Sequence, residues 1–482
     1  MNDIVVIGGG PAGVTAALRA SELGAKVTLV ERSNLGGTCT NDGCVPTRFL
    51  AHAARLARDA SQFADFGLVA ELPILNFQQL MRGTQNKISE INEKKGLTAH
   101  LEDFGVKVLS EVGEAKFTDG HTIETATGVV LEAEKTILCA GGHARQLSIP
   151  GNELAMTLSD VWSLEKLPES VAIVGAAATG CQIASVLGAF GAKVSLLEIA
   201  PRLLGMEDVI ISDTITESFN QRGIEVITDI DGVDSIEAGT SELTLRYTTA
   251  DQVKQISVEA VILATGWPGN ADNLNLEAAG VQTERGYVLV DEYLRTSSDH
   301  IFAAGDITGR MMLVQSAGYE ARIAAENAVL GAGQPYTHKI VPHGGFTNPE
   351  YGSVGLTEER ARVLEPDCIV TTVPYSALDR AVIDGHQEGS CKLIVSQETH
   401  RILGAHVIGE QALEIVQLVA AGMAADMWVE HLAELELAYP TYTAIIGLVA
   451  RKIVHQLGVM PFSPQLRSLG KPYAAEWERS AS

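Results

Sequence analysis

Ile4-Val5-Val6-Ile7-Gly8-Gly9-Gly10-Pro11-Ala12-Gly13 decides the fold. Four apolar residues in a row read as a strand buried on both faces, and the glycines end it. An apolar-periodic helix runs on to Leu23, and a second strand over residues 26–30 closes on Glu31. In such a unit Gly8 allows the tight turn, Gly10 lets a pyrophosphate approach the backbone, and Gly13 lets helix and strand pack closely. The helix N-terminus then faces the phosphates. Glu31, 23 residues after Gly8, can accept from ribose hydroxyls. The stretch therefore predicts a dinucleotide site.

The pattern recurs. Residues 171–174 read as a strand, Gly175-Ala176-Ala177-Ala178-Thr179-Gly180 as the turn, and 193–197 as a strand ending at Glu198, again 23 residues after the first glycine. Two units imply two dinucleotides, most simply a bound flavin and a transient nicotinamide. Glu198 would repel a 2′-phosphate and so favours NADH. Ala177 stands where the second glycine is expected, and its Cβ would cost about 1–3 kcal/mol against a pyrophosphate if the turn did not shift. Two further strands run into glycine, Thr136-Ile137-Leu138-Cys139-Ala140-Gly141 and Ala260-Val261-Ile262-Leu263-Ala264-Thr265-Gly266. Each sits where one nucleotide unit would hand the chain to the next. Ile301-Phe302-Ala303-Ala304-Gly305-Asp306 ends in an acid before an Ala-rich helix over about 315–330, which suits hydrogen bonding to a polyol.

Composition narrows the class. A chain of 482 residues exceeds one hydrophobic core. A formal charge of −25 argues against nucleic acid or an anionic membrane as partner. The first strand begins at Ile4 with no basic leader, and the most apolar stretch, 415–429, is broken by Asp426. The expectation is a cytoplasmic protein with no membrane span. Of six cysteines only Cys39 and Cys44 are close in sequence. Cys139, Cys181, Cys368 and Cys391 read as small buried hydrophobes, and metal-ligand spacing is absent.

Gly36-Gly37-Thr38-Cys39-Thr40-Asn41-Asp42-Gly43-Cys44-Val45-Pro46-Thr47 resembles the redox motif of the FAD-dependent pyridine nucleotide–disulfide oxidoreductases, the group of dihydrolipoamide dehydrogenase, glutathione reductase and mercuric reductase. Ala303-Ala304-Gly305-Asp306 resembles their second FAD motif, and Phe346-Thr347-Asn348-Pro349-Glu350 with Val354-Gly355-Leu356-Thr357-Glu358 the start of their dimerisation domain. Arg401-Ile402-Leu403-Gly404-Ala405-His406 and Gly409 resemble that domain's central strands. The resemblance implies an α/β chain with two Rossmann-like domains and a C-terminal α+β domain. The expected order is FAD-binding (1–149), NAD(P)-binding (150–270), a return to the FAD side (271–338) and a dimerisation domain (339–482). It also implies tightly bound FAD, transient NAD(P)H and a homodimer in which each pocket is completed by the partner. Gly37 and Thr38 belong to the cofactor side of the motif. By analogy Cys44 is the thiolate against the flavin and Cys39 the thiol that meets substrate. A helix expected from about Pro46 would lower the pKa of a cysteine at its N-terminus.

Four departures shape the functional reading. The family's C-terminal His-Pro-Thr base and the Glu that orients it are here Tyr439 and Ala444. A phenol with a pKa near ~10 donates a hydrogen bond but is a poor base. The family's Lys–Glu pair beside the flavin is here Arg48 and Gln182, which predicts a cation without its anion. Ala177 is the fourth. Glu476-Trp477-Glu478-Arg479-Ser480-Ala481-Ser482 holds no counterpart of mercuric reductase's C-terminal cysteine pair, and the expectation is a chain without that family member's N-terminal metal-carrier domain. Electrons are thus expected to pass from NADH through flavin and the cysteines to an acceptor that needs no histidine base, such as a quinone, a metal ion or an unusual disulfide. A protein donor such as ferredoxin, or a redox sensor without turnover, are the alternatives.

Overall fold

The computed structural model describes residues 2–69, 71, 73–331, 333–337 and 340–459. The first unit comprises β1 (Asn2–Ile7), α1 (Pro11–Glu22), β2 (Val27–Val30), α2 (Gly37–Asn41), α3 (Cys44–Ala60), α4 (Phe77–Lys95), α5 (Leu97–Asp103), β3 (Lys107–Leu109), β4 (Ala115–Phe117), β5 (Thr122–Thr125) and β6 (Val130–Leu138). β1 lies between β2 and β6 and is parallel to both. Ile4 and Val6 enter the core on one face, Val5 and Ile7 the core on the other. That is why the run is continuously apolar rather than alternating.

A short α6 (Leu158–Val161) leads to the second unit, β7 (Ser170–Val174), α7 (Ala178–Ala189), β8 (Lys193–Leu197), α8 (Val209–Gln221) and β9 (Glu225–Ile227). An antiparallel meander of β10 (Gly232–Ala238), β11 (Leu243–Thr249) and β12 (Gln252–Val258) precedes β13 (Ala260–Leu263). The parallel sheet runs β13-β7-β8-β9, and β7 again divides its residues between two cores. After a hairpin of β14 (Thr283–Glu284) and β15 (Tyr287–Val288), β16 (Ile301–Ala303) returns to the first sheet, parallel to β6. α9 (Val314–Leu330) follows it and packs on α1.

The last unit is an antiparallel sheet of β17 (His343–Gly345), β18 (Tyr351–Gly355), β19 (Ile369–Pro374), β20 (Ser390–Val395) and β21 (Ile402–Ile408), in the order β17-β18-β21-β20-β19. It carries α10 (Glu358–Leu364), α11 (Asp379–Asp384), α12 (Ala412–Ala424), α13 (Val429–Glu434) and α14 (Ile445–Gln456). The apolar stretch 415–429 is mostly α12, which buries Ile415, Val416 and Val419 in this unit's core. Among the described residues no helix is long and apolar enough to cross a membrane. The tail Glu476 to Ser482 lies outside the described residues.

Candidate active site

The two glycine turns have the same construction. Gly8 (φ +107°) and Gly175 (φ +100°) both need left-handed backbone, and an added Cβ would stand 2.2 Å from Cys139 O and 2.4 Å from Ala264 O. Glu31 accepts from the N–H of Gly9 at 2.7 Å and of Ser33 at 2.9 Å. Glu198 accepts from the N–H of Ala176 at 2.6 Å and of Ala200 at 3.0 Å. Gly10 has φ −77°, ψ −172°, and Ala177 has φ −74°, ψ −173°. This is extended backbone that any residue adopts, so the alanine leaves the turn's shape intact. Its exposed side chain is on the cavity wall.

One cavity of about 1860 Å³ joins the two turns. Gly8, Gly10, Glu31, Gly37, Thr38, Cys39, Cys44, Gly141 and Asp306 line it from the first unit, and Gly175, Gln182, Glu198 and Gly266 from the second. Gly13 and Gly180 are not on its wall. They lie beneath the turns, where a Cβ would come within 1.7 Å of Gly8 O and 1.8 Å of Gly175 O. Gly37 (φ +57°) presses on Gly10, with 2.7 Å from an added Cβ to the Gly10 Cα, and so pins the cysteine segment to the first turn. Asp306 follows β16, and its Oδ2 accepts from Trp267 Nε1 at 3.0 Å, a contact the sequence did not announce. Burial raises the Asp306 pKa. Leu313, Val314 and Gln315, at the N-terminus of α9, also reach the wall. An elongated cleft with a glycine turn, a ribose-directed acid and helix N-termini fits FAD on the first unit and a nicotinamide dinucleotide on the second.

α3 begins at Cys44, two residues before the expected Pro46. Proline is tolerated in the first turn because its missing N–H would have had no intrahelical partner. Both cysteines are thiols here. The Cys39 thiol donates to the Cys44 sulfur, which raises the Cys39 pKa and brings that of Cys44 down to about 7. Burial opposes the second shift, while the backbone N–H of Cys44 and the Lys95 ammonium assist it. The proton therefore stays on Cys39 and the thiolate forms on Cys44. Above about pH 7 the reduced, flavin-loaded protein should show the long-wavelength absorbance of a thiolate against flavin, fading as pH falls through that value. Cys44→Ser should lack it, and a band of full strength in that variant would remove Cys44 from this role. Cys139, Cys181 and Cys391 are buried, which pushes Cys391 up to about 12 and the other two higher still. No cluster of three or more metal-ligating side chains occurs among the described residues.

Arg48 and Gln182 do not face each other as a bare cation and a neutral partner. The Arg48 guanidinium lies 4.7 Å from the centroid of the Phe346 ring and 3.9 Å from Glu350 Oε2. Gln182 accepts from the Phe346 N–H at 3.0 Å and donates to Ala178 O at 2.9 Å. Phe346 thus separates the two, and Glu350 is a carboxyl within reach of Arg48. Burial pushes the Glu350 carboxyl up to about 7 against the pull of the Leu413 N–H and Arg48. Arg48 is off the wall of the large cavity. Tyr439 is also off that wall. It is 56 % exposed and donates to Asp379 Oδ2 at 2.6 Å, so a carboxylate partners it even though Ala444 does not.

The chain matches the pyridine nucleotide-disulphide oxidoreductases over residues 2–321 and the dimerisation domain of that family over 341–449. It belongs to this family of flavin disulfide oxidoreductases. A mercuric reductase of Staphylococcus aureus is 31 % identical over 451 residues, 93 % of this chain and 82 % of the relative. A dihydrolipoyl dehydrogenase of Rhizobium etli is 32 % identical over 462 residues, 91 % of this chain and 95 % of the relative. The structure of the HOCl-induced flavoprotein disulfide reductase RclA from Escherichia coli superposes with a TM-score of 0.83 at 28 % identity, covering 93 % of this chain and 99 % of that one. RclA has also been solved as a Cu(II) complex.

Proposed function

We propose that the protein is a homodimeric, NADH-driven flavin–disulfide reductase whose acceptor needs no histidine base. The reading is carried by the cavity that joins two like-built glycine turns to the Cys39–Cys44 pair. FAD, held by Gly8, Gly10, Glu31, Gly37, Thr38 and Asp306, would relay an electron pair between the nicotinamide and the cysteines. Gly175 and Glu198 would seat the nucleotide, and Gly180 lets the helix pack beneath the turn. The reduced pair holds one proton on Cys39 and offers a thiolate at Cys44, and its return to the disulfide releases two electrons and that proton. Tyr439 donates its O–H to Asp379 Oδ2 and does not take up a proton readily. That favours an acceptor such as a metal ion or quinone over an ordinary disulfide. The mercuric reductase relative and the Cu(II) complex of RclA support the metal-ion form of this reading.

NADH should be favoured over NADPH by about 10- to 100-fold. Glu198 would face a 2′-phosphate with like charge. The nearby Arg202 is turned inward, onto Glu207 O at 3.0 Å, Ser212 Oγ at 2.9 Å and Gly205 O at 2.9 Å. Anaerobic titration with each nucleotide measures this. Equal reduction by NADPH would overturn the assignment of Glu198, and no reduction by either would transfer the donor role to a protein.

A further inference from the structure

His343 begins β17, which bridges the two nucleotide units. Gln315 Nε2 of α9 donates to Pro342 O at 2.9 Å on one side, and α7 meets β17 on the other. His343 is on the cavity wall. Both ring nitrogens face acceptors, Nδ1 toward Val341 O at 3.1 Å and Nε2 toward Glu207 Oε1 at 3.2 Å. Two acceptors call for two N–H groups, so this geometry holds the imidazolium. Glu207 belongs to the segment that runs under the second turn. Its N–H donates to Leu204 O at 2.8 Å, and the Leu204 N–H donates to Ala176 O at 2.9 Å. Ala176 is the turn residue whose N–H Glu198 holds.

We propose that His343 is a positioning residue for the nicotinamide nucleotide: clasped to Glu207, it holds segment 200–208 beneath the turn that receives the pyrophosphate. The inference rests on the second unit binding NADH.

The charged groups packed around the clasp are engaged with partners of their own. Ser353 of β18 donates to Glu207 Oε2 at 2.6 Å. Behind it His406 of β21 is buried, which lowers its pKa. Asp208 is taken by Lys392 at 2.7 Å, which also meets Glu358 at 2.7 Å. Arg202 is bound within its own segment and to Ser212 of α8. α7 brings Gln182 and the buried Cys181, and α12 brings Leu413 and Gln417, with the charge of Glu414 acting on Glu350. For His343 itself, burial lowers the pKa but Glu207 outweighs it, and the net shift is upward. The clasp is then fully charged below the ordinary histidine range and loses its charge as pH rises through the raised value.

The test is stopped-flow reduction of the FAD-loaded protein by NADH across about pH 6 to 9. In the wild type the NADH concentration for half-maximal rate should rise about tenfold with pH while the limiting rate holds, since a charge-assisted hydrogen bond is lost. His343→Leu should be weak at every pH with a flat profile. His343→Gln, which can still donate to Glu207, should be flat and intermediate. If His343→Leu fails to fold, the profile of His343→Gln decides. A wild-type profile retained in either variant overturns the inference. A wild type that takes no electrons from NADH overturns the proposed function and this inference with it.

Discussion

Tyr439→His should raise reduction of oxidised lipoamide or glutathione by about 10²–10⁴-fold, the usual contribution of a positioned general base. Quinone and metal-ion turnover should stay nearly unchanged, because neither needs a proton taken from a thiol by that residue. The single substitution keeps Asp379, whose Oδ2 lies 2.6 Å from the phenol oxygen, as a carboxylate beside the new side chain. Restoring the family's own dyad would require Glu at Ala444, which is only 9 % exposed, and would bury a carboxylate. Tyr439 is exposed, so the fold should tolerate the change. The arrangement assumes that Tyr439 reaches the partner subunit's cysteines, as the dimerisation domain leads one to expect. Adding Asp379→Asn should remove most of the gain. Fast turnover of lipoamide by the wild type, or no gain in Tyr439→His with quinone turnover intact, would show that proton transfer at this position does not limit the reaction.

What could be read in the sequence was whatever recurs at fixed spacing. The acid 23 residues after the first glycine marks both nucleotide units, because strand, turn and helix have set lengths. The alternate burial of Ile4 to Ile7 is likewise set by strand geometry. Contacts between distant parts of the chain were not legible. Glu350 as the partner of Arg48 and Phe346 as the spacer between Arg48 and Gln182 come from the third unit closing on the first two. Asp379 meets Tyr439 across 60 residues, and His343 meets Glu207 across 136. No motif links such pairs, since Arg48–Glu350 and His343–Glu207 form where different units meet, and Asp379–Tyr439 where two distant segments of the last unit meet. What Ala177 does to the shape of the turn was not legible for a different reason. The glycine pattern mixes positions that need left-handed backbone with one that needs only open space, and the sequence does not separate the two.

That separation gives the second large effect. Gly175→Ala should weaken NADH about 100-fold, whereas Ala177→Gly should change it by no more than about tenfold, toward tighter binding. At Gly175 the backbone is at φ +100° and an added Cβ falls 2.4 Å from Ala264 O, which is main chain and cannot swing aside. Strain of about 1–3 kcal/mol from the backbone alone accounts for up to about 100-fold. The displaced Ala264 carbonyl adds to it, because Ala264, Thr265 and Gly266 form the adjoining cavity wall. At Ala177 the backbone already matches Gly10, so glycine there only removes a methyl from the wall. FAD content, read from the visible absorbance of the purified variants, should be unaffected in both, because the first turn is untouched. Half-maximal NADH in rapid flavin reduction measures the two effects side by side. NADH binding by Gly175→Ala as tight as in the wild type would mean that the second turn does not seat the nucleotide, and the electron donor would then have to dock elsewhere.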